Sequence, residues 1–262
     1  MTARRRYGDR TGPLAIAHRG GAGLAPENTL DAFSRSYALG LRYLETDVRR
    51  TSDGELVAFH DATLGRVTPL RGRVGRHRLE TLRATPVLGG GTVLSLRELL
   101  AAFPDACFTV DVKEASSVAS LAALLRETDS AHRVCVAGAR ESWLAQLRRS
   151  AGPDLSTALC WQSLARLVLS GPRVSLAGRF AHVPLAFGRL NVATDELIAR
   201  STAAGVRVIV WTVDDPATMH RVLDAGAAGI ISDRPDLLRE VLISRGQWPT
   251  PDSYDSQALS LT

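Results

Sequence analysis

Between residues 14 and 246, short apolar runs alternate with stretches of helical periodicity, and no other feature restricts the fold as much. Apolar runs enter at 14–18, 43–48, 107–112, 134–137, 156–160, 181–185, 206–213 and 229–233. Helical spacing separates them, first through Leu30, Phe33, Tyr37 and Leu41, with Asn28 as the expected cap and Gly40 ending the turn. Further helices are expected over 95–103, 118–128, 141–150, 163–169, 194–204, 217–225 and 236–245. The piece at 56–60 follows an Asp53-Gly54 turn and reads as an excursion of the second strand. Strands divided by helices require a parallel sheet, and eight such units in about 230 residues fit an α/β fold of the TIM-type (β/α)8 barrel class better than an open doubly wound sheet. No Gly-x-Gly-x-x-Gly opens a helix after the first strand and no Gly-x4-Gly-Lys-Ser/Thr occurs, which removes the common nucleotide-binding alternatives.

One domain is therefore expected over 14–246, preceded by a mobile lead-in at 1–13 and followed by a surface tail at 247–262. Residues 62–92 lose periodicity and carry Gly72, Gly75 and Gly89-Gly90-Gly91, so this stretch is expected to be an insertion or lid.

Charged side chains gather where the apolar runs end. His18-Arg19-Gly20, Pro26-Glu27-Asn28-Thr29, Glu45-Thr46-Asp47 and His60-Asp61 all fall between residues 16 and 61. In a barrel the C-terminal strand ends share one face, so His18, Arg19, Glu45, Asp47, His60, Asp111, Lys113, Trp211 and Asp233 should converge. Glu45 and Asp47 lie two apart, hence on one side of a strand with Cα atoms roughly 6–7 Å apart. With Asp111 they make three carboxylates facing a small volume, which repel one another unless a cation intervenes; oxygen donors alone suit Mg²⁺ or Ca²⁺ rather than zinc. Two histidines can divide general acid and base work near neutral pH, and Arg19 and Lys113 can bind phosphate oxygens, a set suited to phosphoryl transfer. Trp211 is expected to be a substrate-binding platform beside Arg19 and Lys113, but singly each residue has a plainer reading: a strand-end histidine satisfied by backbone, a solvated pair at Glu45 and Asp47, a core tryptophan at Trp211. Their joint placement at strand ends favours function. His77, His132, His182 and His220 are expected to be structural or surface residues.

Lys113 stands out by composition, because of 32 basic residues it is the one lysine. A chain that otherwise writes arginine places here a compact, movable ammonium. The net charge of +5 does not imply a nucleic-acid partner, since the basic residues are scattered and Arg4-Arg5-Arg6, the single run, reads as a solvated tail. Cys107, Cys135 and Cys160 lack metal-ligand spacing and read as buried free thiols. No apolar signal region precedes Pro13 and no run of eighteen apolar residues occurs, so neither export nor a transmembrane segment is expected, and the cytoplasm is the expected compartment.

These residues resemble the glycerophosphodiester phosphodiesterase family. The match comprises His18-Arg19-Gly20, Pro26-Glu27-Asn28-Thr29, Phe33, Gly40, Glu45-Thr46-Asp47-Val48, Thr51, Asp53-Gly54, Val57 and His60-Asp61. It continues with Leu64, Arg66, Asp111-Val112-Lys113, Trp211-Thr212-Val213 and the segment 229–235. The resemblance implies a TIM-type barrel with a small insertion after His60-Asp61, over 61–106, one divalent cation, Mg²⁺ or Ca²⁺, on Glu45, Asp47 and Asp111, acid/base roles for His18 and His60, and phosphate contacts from Arg19 and Lys113. It implies a small-molecule glycerophosphodiester as substrate, with attack by water or through a cyclic phosphate made by the glycerol 2-hydroxyl, and release of sn-glycerol 3-phosphate and an alcohol. Contact with a lipid surface is compatible with this chemistry. Three positions depart from the family pattern: Asp111 stands where glutamate is common, shortening reach by roughly 1.5 Å, Gly65 stands for an aspartate, and Ser232 for a threonine. The competing readings are a lysophospholipase D-like activity on lipid diesters, a non-catalytic phosphodiester-binding barrel, and metal-independent phosphatidylinositol cleavage, which would leave three carboxylates unexplained. Neither head-group preference nor oligomeric state is legible.

Overall fold

The apolar runs become strands β1 (Leu14–Ala17), β2 (Tyr43–Arg50), β4 (Cys107–Val112), β5 (Val134–Gly138), β6 (Ser156–Thr157), β7 (Phe180–Pro184), β10 (Arg207–Trp211) and β11 (Gly229–Ser232) in a computed structural model that describes residues 5–170, 178–188 and 190–249. Neighbours pair in parallel in the order β6-β5-β4-β2-β1-β11-β10-β7, and a parallel bridge between Ala158 and Phe180 joins the two ends into a barrel. Strand β3 (Leu56–Ala58) folds back antiparallel on β2, as the Asp53-Gly54 turn leads one to expect. A short hairpin of β8 (Ala186–Phe187) and β9 (Leu190–Asn191) was not foreseen. Among the described residues no helix is long and apolar enough to cross a membrane.

Helices α1 (Leu30–Ala38), α3 (Leu96–Ala102), α4 (Ser117–Glu127), α5 (Glu141–Ala151), α6 (Trp161–Ser170), α7 (Asp195–Ala203), α8 (Pro216–Asp224) and α9 (Pro235–Ser244) fill the connections. Several start where side-chain oxygens accept their free amides: Ser95 with Glu98 forms a capping box on α3, Thr194 accepts from Leu197 and Asp215 from Thr218. On α1 the cap is Thr29, which accepts from the Ala32 amide, and not Asn28. Asn28 instead takes a left-handed conformation (φ 58°) and turns its Oδ1 inward to accept from the Thr46 hydroxyl.

Inward side chains stack in layers drawn from alternate strands. Following the pairing upward, allowing for strand tilt, Tyr43, Cys135, Phe180 and Gly229 form a low layer, Ile16, Thr109, Ala158 and Ile209 the next, and Glu45, Ala137, His182 and Ile231 the one above. The lower two layers belong to a continuous apolar cluster apart from Thr109 and Gly229.

The lead-in is not loose throughout. Tyr7 (4% exposed) rises into the barrel from below, its hydroxyl 2.7 Å from the Thr109 hydroxyl and its ring edge-on to Tyr43 and Phe180. Glycine is required at Gly8, where φ is 82° and a Cβ would meet the Phe180 ring at 2.5 Å. Arg4 of the basic run and residues 250–262 of the tail lie outside the described residues; Trp248 packs on the core.

The insertion has a core of its own, in which Val57, Phe59, Leu64, Val74, Leu82, Val87 and Val93 pack together around the short helix α2 (Leu79–Arg83). Its independent packing ends before α3, whose Leu96, Leu99 and Leu100 join the main core, so the separate piece is shorter than 61–106.

Candidate active site

Eight of the nine side chains expected to converge, His18, Arg19, Glu45, Asp47, His60, Asp111, Lys113 and Trp211, line one open cavity of about 290 Å³ at the C-terminal end of the barrel. Asp233 stands behind His18 instead of on the cavity wall.

β1 delivers the first pair through a sharp turn. His18–Gly20 form one 3-10 turn in which Arg19 itself is left-handed (φ 49°, ψ 36°), an uncommon state for a side-chain-bearing residue. The turn is fastened by the Ser36 hydroxyl donating to the Gly20 carbonyl at 2.6 Å and by the Arg19 amide donating to Glu45 at 2.8 Å. At Gly21 (φ 102°) an added Cβ would lie 2.5 Å from the Ser36 oxygen, so the turn excludes larger residues there.

Both histidines are held in the same way. His18 Nδ1 lies 2.7 Å from Asp233, and His60 Nδ1 lies 2.7 Å from Asp61. An ionised carboxylate can only accept, so each Nδ1 carries the proton and each Nε2 is left for the cavity. Asp233 is steadied in turn by its amide donating to Asp214, which also accepts from Ser232. The serine hydroxyl at the departing position 232 therefore makes this bond without the threonine methyl. Arg49 donates twice to the His60 carbonyl and pairs with Glu114.

Three links tie the insertion to the site. Arg66 donates to Asp61 at 2.5 Å and grips both oxygens of Glu27 at 2.7 Å, while Glu27 also receives Arg19 at 3.0 Å. The Arg66 bond holds the Asp61 carboxyl down to about 2, and Glu27, although burial opposes it, is likewise held below the usual range by Arg66 and Arg19.

Electrostatics divide the carboxylates. Burial and the nearby Asp47 charge push Glu45 up to about 7. Asp47 is equally buried, yet Lys113 and Arg19 overcome burial and keep it low. His18 is drawn down by burial but raised on balance by Glu45, 3.9 Å from its Nε2, and by Asp233. Lys113 is raised, its ammonium lying 2.8 Å from Asp47 and 2.5 Å from Asp111.

The three acidic residues expected to share a cation thus face one cavity but do not close on one point, because Lys113 lies between two of them. Among the described residues no three histidine, cysteine or acidic side chains are grouped to hold one ion. The donor chemistry nevertheless fits a hard cation: all are carboxylates, and Asp47 Oδ2 is buried with no hydrogen-bond partner.

Glu27, Asp61, Arg66, Asp214 and Asp233 were not assigned roles from sequence, although four of the five fall in the matched segments. His182, set aside as structural or surface, also lines the cavity. Its signal was a lone polar residue in an apolar strand, on the same face as Phe180.

A parallel barrel whose strand ends collect two carboxylate-clamped histidines, an arginine and a lysine around a cavity defines an enzyme for an anionic substrate. The glycerophosphoryl diester phosphodiesterase family model matches residues 18–237, and the chain belongs to that family of enzymes. The Mycobacterium tuberculosis protein named probable glycerophosphodiester phosphodiesterase 2 is 33% identical over 246 residues, covering 90% of this chain and 93% of the relative. A glycerophosphodiester phosphodiesterase of Caldanaerobacter subterraneus subsp. tengcongensis is 30% identical, covering 86% of this chain and 96% of that one. An Oleispira antarctica phosphodiesterase solved with the product sn-glycerol-3-phosphate shares the fold, with a TM-score of 0.74 at 21% identity, covering 88% of this chain and 97% of that one.

Proposed function

We propose that the chain hydrolyses glycerophosphodiesters to sn-glycerol 3-phosphate and an alcohol, with His18 and His60 as the acid/base pair. The observation that carries this reading is the matched fastening of the two imidazoles, each bound through Nδ1 to a carboxylate with Nε2 left for the cavity that Arg19 and Lys113 also line. A phosphate drawn to Arg19 and Lys113 has its non-bridging charge neutralised as it builds. One imidazole takes the proton of the attacking hydroxyl as the new P–O bond forms. The other gives a proton to the departing alkoxide as the old P–O bond breaks. The sn-glycerol-3-phosphate held as product by the Oleispira enzyme agrees with this outcome.

Glu45, Asp47 and Asp111 are the residues that would hold one divalent cation, Mg²⁺ or Ca²⁺, with Asp111 sharing its carboxylate with Lys113. Such an ion supplies positive charge that offsets the carboxylates and favours anionic phosphoryl oxygens. The raised Glu45 and the buried Asp47 Oδ2, which accepts no hydrogen bond and has Arg19 Nε at 3.4 Å, support the assignment.

The test is release of sn-glycerol 3-phosphate from glycerophosphocholine and related diesters by purified protein, followed by ³¹P NMR with Mg²⁺, with Ca²⁺ and with EDTA. Turnover that EDTA abolishes is expected, and His18→Ala should lower it about 10²- to 10⁴-fold. Absence of turnover across the diester panel overturns the reading. A second reading, a lysophospholipase D-like activity, is favoured by the apolar wall of Leu159, Trp161 and Leu164 and by Trp161 standing 48% exposed at the rim. Faster turnover of acyl-bearing diesters than of glycerophosphocholine would select it.

A further inference from the structure

The side of the cavity away from the acidic residues is floored by His182. In the barrel order, β7 stands four strands from β2 in either direction, so His182 and Glu45, which share a layer, face each other across the barrel. Their layer partners are Ala137 and Ile231, and Ala158 lies just below, so small and apolar side chains surround the imidazole and leave room beside it. The ring is half-buried on the cavity wall: its Nε2 is enclosed, while Nδ1 is not among the enclosed atoms and has no hydrogen-bond partner among the described residues, so Nδ1 is the nitrogen open to an incoming group. Burial pushes its pKa down to about 4, so near neutral pH it is an uncharged imidazole with one N–H and one lone pair.

A polar ring left without its bond in an apolar floor is costly unless something entering the cavity completes it. The proposed phosphoryl chemistry occupies the opposite side, where Arg19, Lys113 and the carboxylates gather. An uncharged donor–acceptor suits a neutral polar group, and a hydroxyl, itself donor and acceptor, matches either tautomer.

We propose that His182 is a specificity-determining residue that hydrogen-bonds a hydroxyl of the glycerol unit when its phosphate lies at Arg19 and Lys113. This rests on the proposed function for the place of the phosphate and adds which part of the substrate is recognised. It separates a polyol phosphate from an alkyl phosphate of the same length, because the alkyl ligand fills the space and leaves the imidazole unpaired.

The test is binding of sn-glycerol 3-phosphate and of n-propyl phosphate to the full chain by calorimetry under identical metal conditions. The wild type should prefer the glycerol ester by about 10- to 100-fold. His182→Phe should abolish that preference while leaving n-propyl phosphate affinity within about twofold, and His182→Gln, which keeps donor and acceptor, should restore part of it. On the wild type, the ¹⁵N shifts of the His182 ring should move with the glycerol ester and not with n-propyl phosphate, a readout that stands even if a variant fails to fold. Equal wild-type affinities, equal losses for both ligands in a folded His182→Phe, an unmoved ring signal, or no saturable binding of either phosphate would each overturn the proposal. Diester turnover is measured separately, so its absence would strike the proposed reaction while the preference between the two monoesters still judged His182.

Discussion

Single side chains account for most of the chemistry, and Lys113 shows how little charge alone decides. Its ammonium pairs with Asp47 and Asp111 at once as a compact point charge, a geometry that the longer side chain and planar guanidinium of arginine do not reproduce. Lys113→Arg, although it retains the charge, should lower kcat/KM by about tenfold or more, as steady-state kinetics on glycerophosphocholine would read. His182 makes a prediction of the opposite kind, about folding. Its folded pKa lies below the unfolded value of 6.5, so between pH 6.5 and about 4 the unfolded chain binds more protons than the folded one. This stability contribution is complete above pH 6.5 and is lost as pH falls toward 4. His182→Phe should therefore shrink the acid-side fall in unfolding free energy, read from urea titrations at a series of pH values, by about 3 kcal/mol at most. Lys113 and the strand-end carboxylates were legible because they interrupt apolar runs at places where a barrel opens. His182 was not, since a lone histidine within a strand points to core or cavity only once the register of its neighbours is known.

At the level of elements, the barrel strands were readable wherever an apolar run was long and ended in a polar cluster. Two-residue strands such as β8 and β9 carry too few residues for any period to show. The start of α1 illustrates another limit: Asn28 and Thr29 are both good caps, and what separates them is the Thr46 hydroxyl that claims the Asn28 oxygen, a partner eighteen positions away. The insertion was visible as lost periodicity, but its attachment was not, because the Arg66 bonds to Glu27 and Asp61 join segments remote in sequence. Arg66→Ala frees Asp61, and with it the ring of His60, while Arg66 is itself about half exposed. Its effect should fall mainly on kcat, by about 10- to 100-fold, with a loss of stability under about 1 kcal/mol. Paired kinetic and thermal-melt measurements would check that split, and a loss confined to stability would contradict the positioning role.

For the whole molecule, the count of strand and helix units was enough to identify the barrel, since parallel strands in sequence order leave few other closed arrangements. The filling of the barrel was less accessible. Tyr7 lies in a glycine- and arginine-containing stretch with no period, and only its contacts with β2, β4 and β7 show that it belongs to the interior. Tyr7→Ala should cost about 3–5 kcal/mol, as for other large buried aromatic truncations, and urea unfolding would measure it.

The same tyrosine determines how material moves through the protein. With Tyr7 filling the lower mouth of the barrel against Tyr43 and Phe180, and further layers of side chains above it, that end offers no passage. A diester therefore enters and both fragments leave by one doorway, the rim that Trp161 and Trp211 flank.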